Sequence, residues 1–178
     1  MKLSIILNNK GEFILKDSKE LANNIFYKTE NTVYEVLDKF GNNQNIDKSL
    51  TYTFFKAFYI HVISSFIKKS KKDLNFDNIY TEYKNCLSEY YKKNNSNISE
   101  DLLKDLLESF DKCFEMIESL NFIDIDDGYE FRHHIVSTFE LLKMILESKS
   151  KVGIRQDIFE NYISKIKNEA EEIMFDCN

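Results

Sequence analysis

The chain contains few of the residues that divide a polypeptide into separate parts. Among its 178 residues there is no proline, there are only four glycines, and there is no serine-glycine linker. Proline and glycine are the residues that most strongly interrupt helices and mark turns and loops. The length also fits the usual size of one domain. The sequence therefore predicts a single helical domain over residues 1–178.

Cysteine is scarce as well, and its spacing excludes the common cysteine-based sites. Cys86, Cys113 and Cys177 are odd in number and far apart, with no CxxC pair and no histidine at zinc-ligand spacing. We therefore expect reduced thiols, no metal site and no cofactor. The apolar start of the chain is interrupted after six residues, too early for a secretory signal. We expect a cytoplasmic location.

The longest apolar run is too short for a membrane span. Residues 54–67 form a stretch of 14 residues that already includes Lys56 and His61. Crossing a bilayer takes roughly 20 predominantly apolar residues. The run therefore predicts a buried helix at the centre of the protein and no membrane partner.

The residues that are abundant indicate a helical bundle. Hydrophobic residues make up 43% of the chain and aromatic residues 14%, which excludes a disordered chain. Apolar residues mostly recur at the helical period, whereas Leu3, Ile5 and Leu7 alternate as they do in a strand. The predicted fold is mainly α, a single-domain bundle of about six helices with a small N-terminal β-hairpin at 2–16. The predicted helices cover about 18–40, 47–69, 77–93, 99–121, 127–148 and 154–175, and Ser99 is the predicted cap of the fourth. From the apolar spacing, the predicted core includes Phe58, Val62, Phe66, Phe110, Phe114, Ile117, Phe139 and Leu142.

One segment carries most of the negative charge of the chain. Residues 99–130 contain eleven acidic residues and two lysines, a net charge of −9, whereas the whole chain carries −6. On the predicted fourth helix, acids spaced mostly by three or four lie opposite the apolar stripe, and we call them the acidic face. Its members are Asp101, Asp105, Glu108, Asp111, Glu115 and Glu118. Like charges at such spacings repel by roughly a few tenths of a kcal/mol per pair, so the acidic face brings no evident benefit to folding.

Two interpretations of the acidic face stay open at the level of sequence. The acids can serve solubility and be screened by the chain's own lysines. They can also form a docking surface for a basic partner, because complementary fields speed association and select partners. Such a surface could imitate nucleic-acid phosphates and occupy the basic groove of a nuclease or another nucleic-acid enzyme.

A second cluster of polar residues lies at the predicted start of the fifth helix. Arg132 directly precedes His133 and His134, with Glu130 three residues before His133. These four residues are the basis of an alternative prediction, a small hydrolase or nuclease. On a helix, however, the arginine and the two histidines fan out instead of converging, and the chain has no second Glu-x-x-His pair and no glycine-rich nucleophile elbow. We therefore predict a solvated polar face here and no catalytic residue.

A third interpretation concerns residues 122–132, which can form a hairpin instead of a helix start. Such a hairpin would resemble the wing of a winged-helix regulator. Contact with phosphates requires lysine or arginine on the wing and the recognition helix, and here both segments are acidic. Direct binding of nucleic acid is therefore not expected.

The sequence favours a non-catalytic protein-binding factor over an enzyme. We expect a stoichiometric inhibitor, an immunity or antitoxin-type protein, or an accessory subunit that contacts a basic, nucleic-acid-handling protein through the acidic face. Homo-oligomerisation is left open by the sequence.

Overall fold

The part of the chain that the structure describes is mainly helical, as predicted. The structure is a computed structural model, and it describes residues 6–7, 13–14, 18–39, 48–69, 74–119 and 156–176. These residues contain five helices: α1 (Ser18–Lys39), α2 (Lys48–Lys69), α3 (Phe76–Asn94), α4 (Glu100–Glu118) and α5 (Gln156–Asp176). Each begins and ends within three residues of a predicted helix. The helix predicted over 127–148 lies outside the described residues, so the count of six stays a prediction.

Two short strands precede the helices. Strand β1 (Ile6–Leu7) pairs with β2 (Phe13–Ile14) in an antiparallel ladder, with Ile6 opposite Ile14 and Leu7 opposite Phe13. The other residues of the predicted hairpin at 2–16 lie outside the described part of the chain. The hairpin as a whole therefore stays a prediction.

Helix α2 is the centre of the described helices and contacts each of the other four. Every residue from 53 to 64 is buried, including Lys56 and His61. A helix that is apolar on all sides can bury its surface only when other helices surround it. The other four described helices surround α2 in this way. Around it, α1 contacts α3 and α5, and α3 contacts α4.

The burial of α2 also explains its membrane-like composition. The prediction that the apolar run is too short to span a bilayer was wrong, because by length and composition alone Ser49–Lys68 is long and apolar enough to cross one. In the structure, however, 78% of that stretch is buried inside the protein. The prediction that this region forms a buried helix is confirmed.

The apolar stripes predicted from helical spacing form the core wherever the structure describes them. Five predicted core residues are buried, namely Phe58, Val62, Phe110, Phe114 and Ile117. Phe66 is only half-buried and packs at the edge of the core. Phe139 and Leu142, which were predicted to be core residues, lie outside the described residues.

The ends of α3 and α4 are set by polar caps. The Asn75 side chain accepts a hydrogen bond from the backbone N–H of Asn78, and Ser99 accepts one from that of Leu102, each at 3.2 Å. Such caps satisfy backbone donors that the first helical turn leaves unpaired. The predicted Ser99 cap thus fixes where α4 begins, and with it the faces on which its acids lie.

Candidate functional site

Helix α4 places the acidic face on the outer surface of the bundle. Its apolar stripe, which includes Leu103, Phe110 and Ile117, is buried, and the helix contacts α2 and α3. Asp111 is half-buried at the edge of this contact. The other five acids are exposed: Asp101, Asp105, Glu108, Glu115 and Glu118. Five of the six acids therefore lie on the exposed side of α4, away from its buried stripe.

Asp111 is engaged by two side chains of α3. The Lys84 Nζ lies 2.5 Å from one carboxylate oxygen of Asp111, and the Tyr80 hydroxyl donates a hydrogen bond of 2.9 Å to the other. Burial and then the Asp111 carboxylate hold the pKa of the Tyr80 phenol well above its ordinary value, so the hydroxyl remains a donor. Asp111 therefore connects α4 to α3, and its role within the fold is sufficient to explain its presence.

Two further acids have lysine partners at the surface. The Lys68 Nζ of α2 lies 3.2 Å from a Glu118 carboxylate oxygen, and the Lys104 Nζ lies 3.7 Å from one of Glu108, one helical turn away. Exposed pairs of this kind contribute about 0 to 1 kcal/mol to stability. They nevertheless lower the charge that Glu108 and Glu118 present to a partner. Half of the acidic face thus fits the interpretation that the chain's own lysines screen it.

The other half of the acidic face has no ion pair within the described part of the chain. Asp101 and Asp105 lie one turn apart at the N-terminal end of α4, and Glu115 lies further along the same exposed surface. Asp101 is in the first turn, where the positive end of the helix dipole favours an acid. Neither Asp105 nor Glu115 has that reason to be acidic.

An exposed leucine lies beside these acids. Leu102 is 47% exposed and precedes Asp105 by three residues, so the two side chains are neighbours on the helix surface. Lys112 is exposed on the same surface and reduces its net charge. The outer surface of α4 therefore offers carboxylates and one apolar side chain to a partner.

Glu130, Arg132, His133 and His134 lie outside the described residues, as does the whole of 122–132. Among the residues that the structure does describe, no group of three or more His, Cys, Asp or Glu side chains could hold a metal ion.

The most unusual side chain in the described part of the chain is Lys56, at the centre of α2. It has no exposed surface, and its Nζ forms an ion pair with a carboxylate oxygen of Glu30 on α1. The Tyr52 hydroxyl donates a hydrogen bond to the other oxygen of the same carboxylate. Glu30 itself retains 13% exposure, so this edge of the cluster is near solvent.

Four aromatic rings from three helices enclose the Lys56 amine. The Nζ lies 3.9 Å from the ring centroid of Tyr52, 5.1 Å from Tyr90, 5.7 Å from Tyr91 and 5.8 Å from Phe26. A cation within about 6 Å of a ring centroid is attracted by the negative face of the ring. We call Lys56, Glu30 and these four rings the Lys56 site.

Burial determines the ionisation of the Lys56 site. Desolvation lowers the pKa of Lys56 to about 8, although the Glu30 carboxylate acts in the opposite direction. Burial, followed by Glu30, raises the pKa of Tyr91 to about 12 and holds that of Tyr52 well above its ordinary range. The phenols of Tyr52 and Tyr91 therefore stay neutral near pH 7, and the Glu30 carboxylate lies opposite the lysine.

A second internal carboxylate joins α1, α2 and α5. Glu169 accepts hydrogen bonds from the hydroxyls of Thr32, at 2.8 and 3.0 Å, and of Tyr59, at 2.7 Å. The Lys165 Nζ lies 3.9 Å from it, one turn away on α5. This cluster holds a carboxylate without enclosing a cation, and its hydrogen bonds satisfy buried polar groups as a helix interface requires.

The Lys56 site was missed at the level of sequence, although a signal was present. A lysine in the middle of a helix that is apolar on every side has no solvated face to occupy, so it must be buried or the helix must be misassigned. That reasoning predicts a buried lysine with an acidic partner. It does not identify Glu30, which lies on another helix.

Comparisons of the chain with protein-family models, with curated proteins and with solved structures found no match.

Proposed function

We propose that the protein is a non-catalytic protein-binding factor that contacts a basic partner through α4. The observation that carries the proposal is the outer surface of α4, where Asp101, Asp105 and Glu115 lie exposed without an ion pair in the described part of the chain, beside the exposed Leu102. A surface acid with no partner in its own fold remains available to a lysine or arginine of another protein.

The proposed mode of action is stoichiometric. Carboxylates along one helix face attract a basic groove over a distance of about one Debye length, roughly 8 Å at physiological ionic strength. Leu102 would add an apolar contact that salt does not screen. A partner that handles nucleic acid has such a groove, so occupation by α4 would exclude its substrate. The protein would then act as an inhibitor, an immunity or antitoxin-type factor, or an accessory subunit.

The proposed complete domain extends beyond the described residues. It is a cytoplasmic bundle of about six helices, with the sixth over 127–148 and an N-terminal hairpin at 2–16. The alternative functions, a hydrolase or nuclease built on Glu130, Arg132, His133 and His134 or a winged-helix regulator, depend on residues that the structure does not describe. No observation among the described residues favours either alternative.

The test reverses three charges on α4 and leaves its ion pairs with other helices intact. The partner is first identified by affinity capture from the native host and then purified. We expect Asp101→Lys/Asp105→Lys/Glu115→Lys to weaken its binding by at least tenfold at low salt, because each reversal replaces attraction with repulsion. Wild-type affinity should fall as salt rises, and inhibition of the partner should be complete at a 1:1 ratio.

A matched variant separates the position of the charges from their number. Asp38→Lys/Glu89→Lys/Glu171→Lys changes the net charge equally, at exposed sites on α1, α3 and α5. It should retain affinity close to that of the wild type. Equal weakening in both triple variants would show that only net charge matters, and unchanged affinity in the α4 variant would remove α4 as the interface. Circular dichroism of each variant establishes that the bundle remains folded.

A further inference from the structure

Protein groups, and not solvent, surround the amine of Lys56. An ammonium group has three N–H donors. Among the described residues, the polar group in contact with Nζ is the Glu30 carboxylate. The faces of aromatic rings, including those of Tyr52 and Tyr90, lie on the other sides of Nζ. The amine has no exposed surface. A charge removed from water in this way is penalised unless further hydrogen bonds replace its hydration.

The groups that face the amine come from three helices. Glu30 and Phe26 belong to α1, Tyr52 belongs to α2, and Tyr90 and Tyr91 belong to the last turns of α3. Glu30 is the acid that faces the amine, and burial raises the pKa of Tyr52 and Tyr91. Because Tyr90 and Tyr91 belong to α3 and cover the amine, separation of α3 from α1 and α2 would expose it to water.

We propose that the Lys56 site controls a local opening of the bundle: a proton on the caged amine favours separation of α3 from α1 and α2, and its loss favours the packed state.

The direction follows from which state holds the proton more tightly. In the opened state the amine is hydrated, with an ordinary lysine pKa of about 10.5, whereas burial lowers the pKa of Lys56 to about 8 in the packed state. Between these two values the opened state is protonated and the packed state is neutral. Opening is therefore favoured as the pH falls through this window, and the dependence levels off below about pH 8.

Acetylation of Lys56 by acetic anhydride measures this opening directly. The buried amine can react only in the opened state. The fraction of molecules in that state is therefore the acetylation rate of Lys56 in the native protein divided by its rate in the denatured protein at the same pH. The two pKa values predict that this ratio is about 20-fold higher at pH 7.5 than at pH 9.5. Peptide mapping by mass spectrometry follows Lys56 and, as an internal control, Lys104, which is 74% exposed.

Two variants test whether the ion pair is responsible. Glu30→Gln removes the counter-charge, so we expect the ratio for Lys56 to rise about fourfold at pH 7.5 and to stay unchanged at pH 9.5, where the packed amine is already neutral. Asp38→Asn removes an exposed acid from the same helix and should change neither value.

Three results would overturn the proposal. A ratio for Lys56 near one would show that the amine is accessible without opening. A ratio that does not change with pH would show that the proton has no influence on it. A ratio equal to the globally unfolded fraction, measured by urea denaturation at the same two pH values, would show that the opening is not local.

Discussion

The ion pair between Lys56 and Glu30 predicts an unusual order of stability among its variants. The lysine is fully buried, whereas Glu30 retains 13% exposure and a hydrogen bond from Tyr52. Loss of Glu30 therefore leaves a buried amine without a counter-charge, but loss of Lys56 leaves a carboxylate that still has a donor and some water. We expect Glu30→Gln to be destabilised and Lys56→Met to be at least as stable as the wild type at pH 7.

The loss of stability in Glu30→Gln is limited because the Lys56 amine can release its proton. At about 1.36 kcal/mol per pKa unit, the lowering of the pKa of Lys56 from 10.5 to about 8 already costs the fold about 3 kcal/mol at pH 7. Complete neutralisation of a lysine at that pH costs about 5 kcal/mol, so loss of Glu30 adds about 1 to 2 kcal/mol. Weakening the hydrogen bond from Tyr52 adds about 1 kcal/mol, for a total of about 2 to 3 kcal/mol.

The same reasoning sets the expectation for Lys56→Met. Methionine keeps an unbranched apolar side chain between the rings and removes the cost of about 3 kcal/mol that the charge imposes. Against this, the unpaired and partly buried Glu30 carboxylate costs about 1 to 3 kcal/mol. Replacing both residues, as Lys56→Met/Glu30→Gln, removes both penalties and should give the most stable protein of the series, as for other buried pairs exchanged for neutral groups.

Urea denaturation followed by far-ultraviolet circular dichroism measures these differences, since the chain has no tryptophan to report by fluorescence. At pH 9.5 the deficit of Glu30→Gln should shrink to about 1 kcal/mol, because the lysine of the wild type is then neutral as well. A loss above about 1 kcal/mol in Lys56→Met at pH 7 would refute the reasoning, since it would show that the charged pair stabilises the fold.

Two further predictions concern the contact between α2 and α4. Phe114 is buried and stacks on Phe76, so Phe114→Ala should lower the free energy of unfolding by about 3 to 5 kcal/mol, and a loss below about 1 kcal/mol would contradict its core position. Burial lowers the pKa of His61 to about 4, from 6.5 in the unfolded chain. The contribution of neutral His61 to the stability of the fold is therefore present above pH 6.5 and is lost as the pH falls towards 4. At pH 4.5 the wild type should have lost about 2 to 3 kcal/mol more than His61→Gln, measured against pH 7 for each protein; equal losses would show that His61 is not responsible.

The sequence by itself determined the helices and their faces. Helical spacing predicted that Phe110 and Phe114 are buried and that Asp105 is exposed, and Ser99 marked the beginning of α4. These features depend on the helical period and on hydrogen bonds within one turn, so residues close in sequence are sufficient to specify them. The central position of α2 could be predicted for the same reason, because a helix that is apolar on all sides must be surrounded.

Only the tertiary structure decided which helices meet, and these contacts determine the roles of individual residues. Asp111 had the same spacing as the other acids of α4, yet Tyr80 and Lys84 of α3 engage it. Lys56 was visible as a charge within an apolar helix, but its partner Glu30 lies 26 positions earlier, on α1. The helical period fixes the direction of a side chain relative to its own axis. It contains no information about which neighbouring helix covers that side, because that choice is made by the packing of the whole bundle.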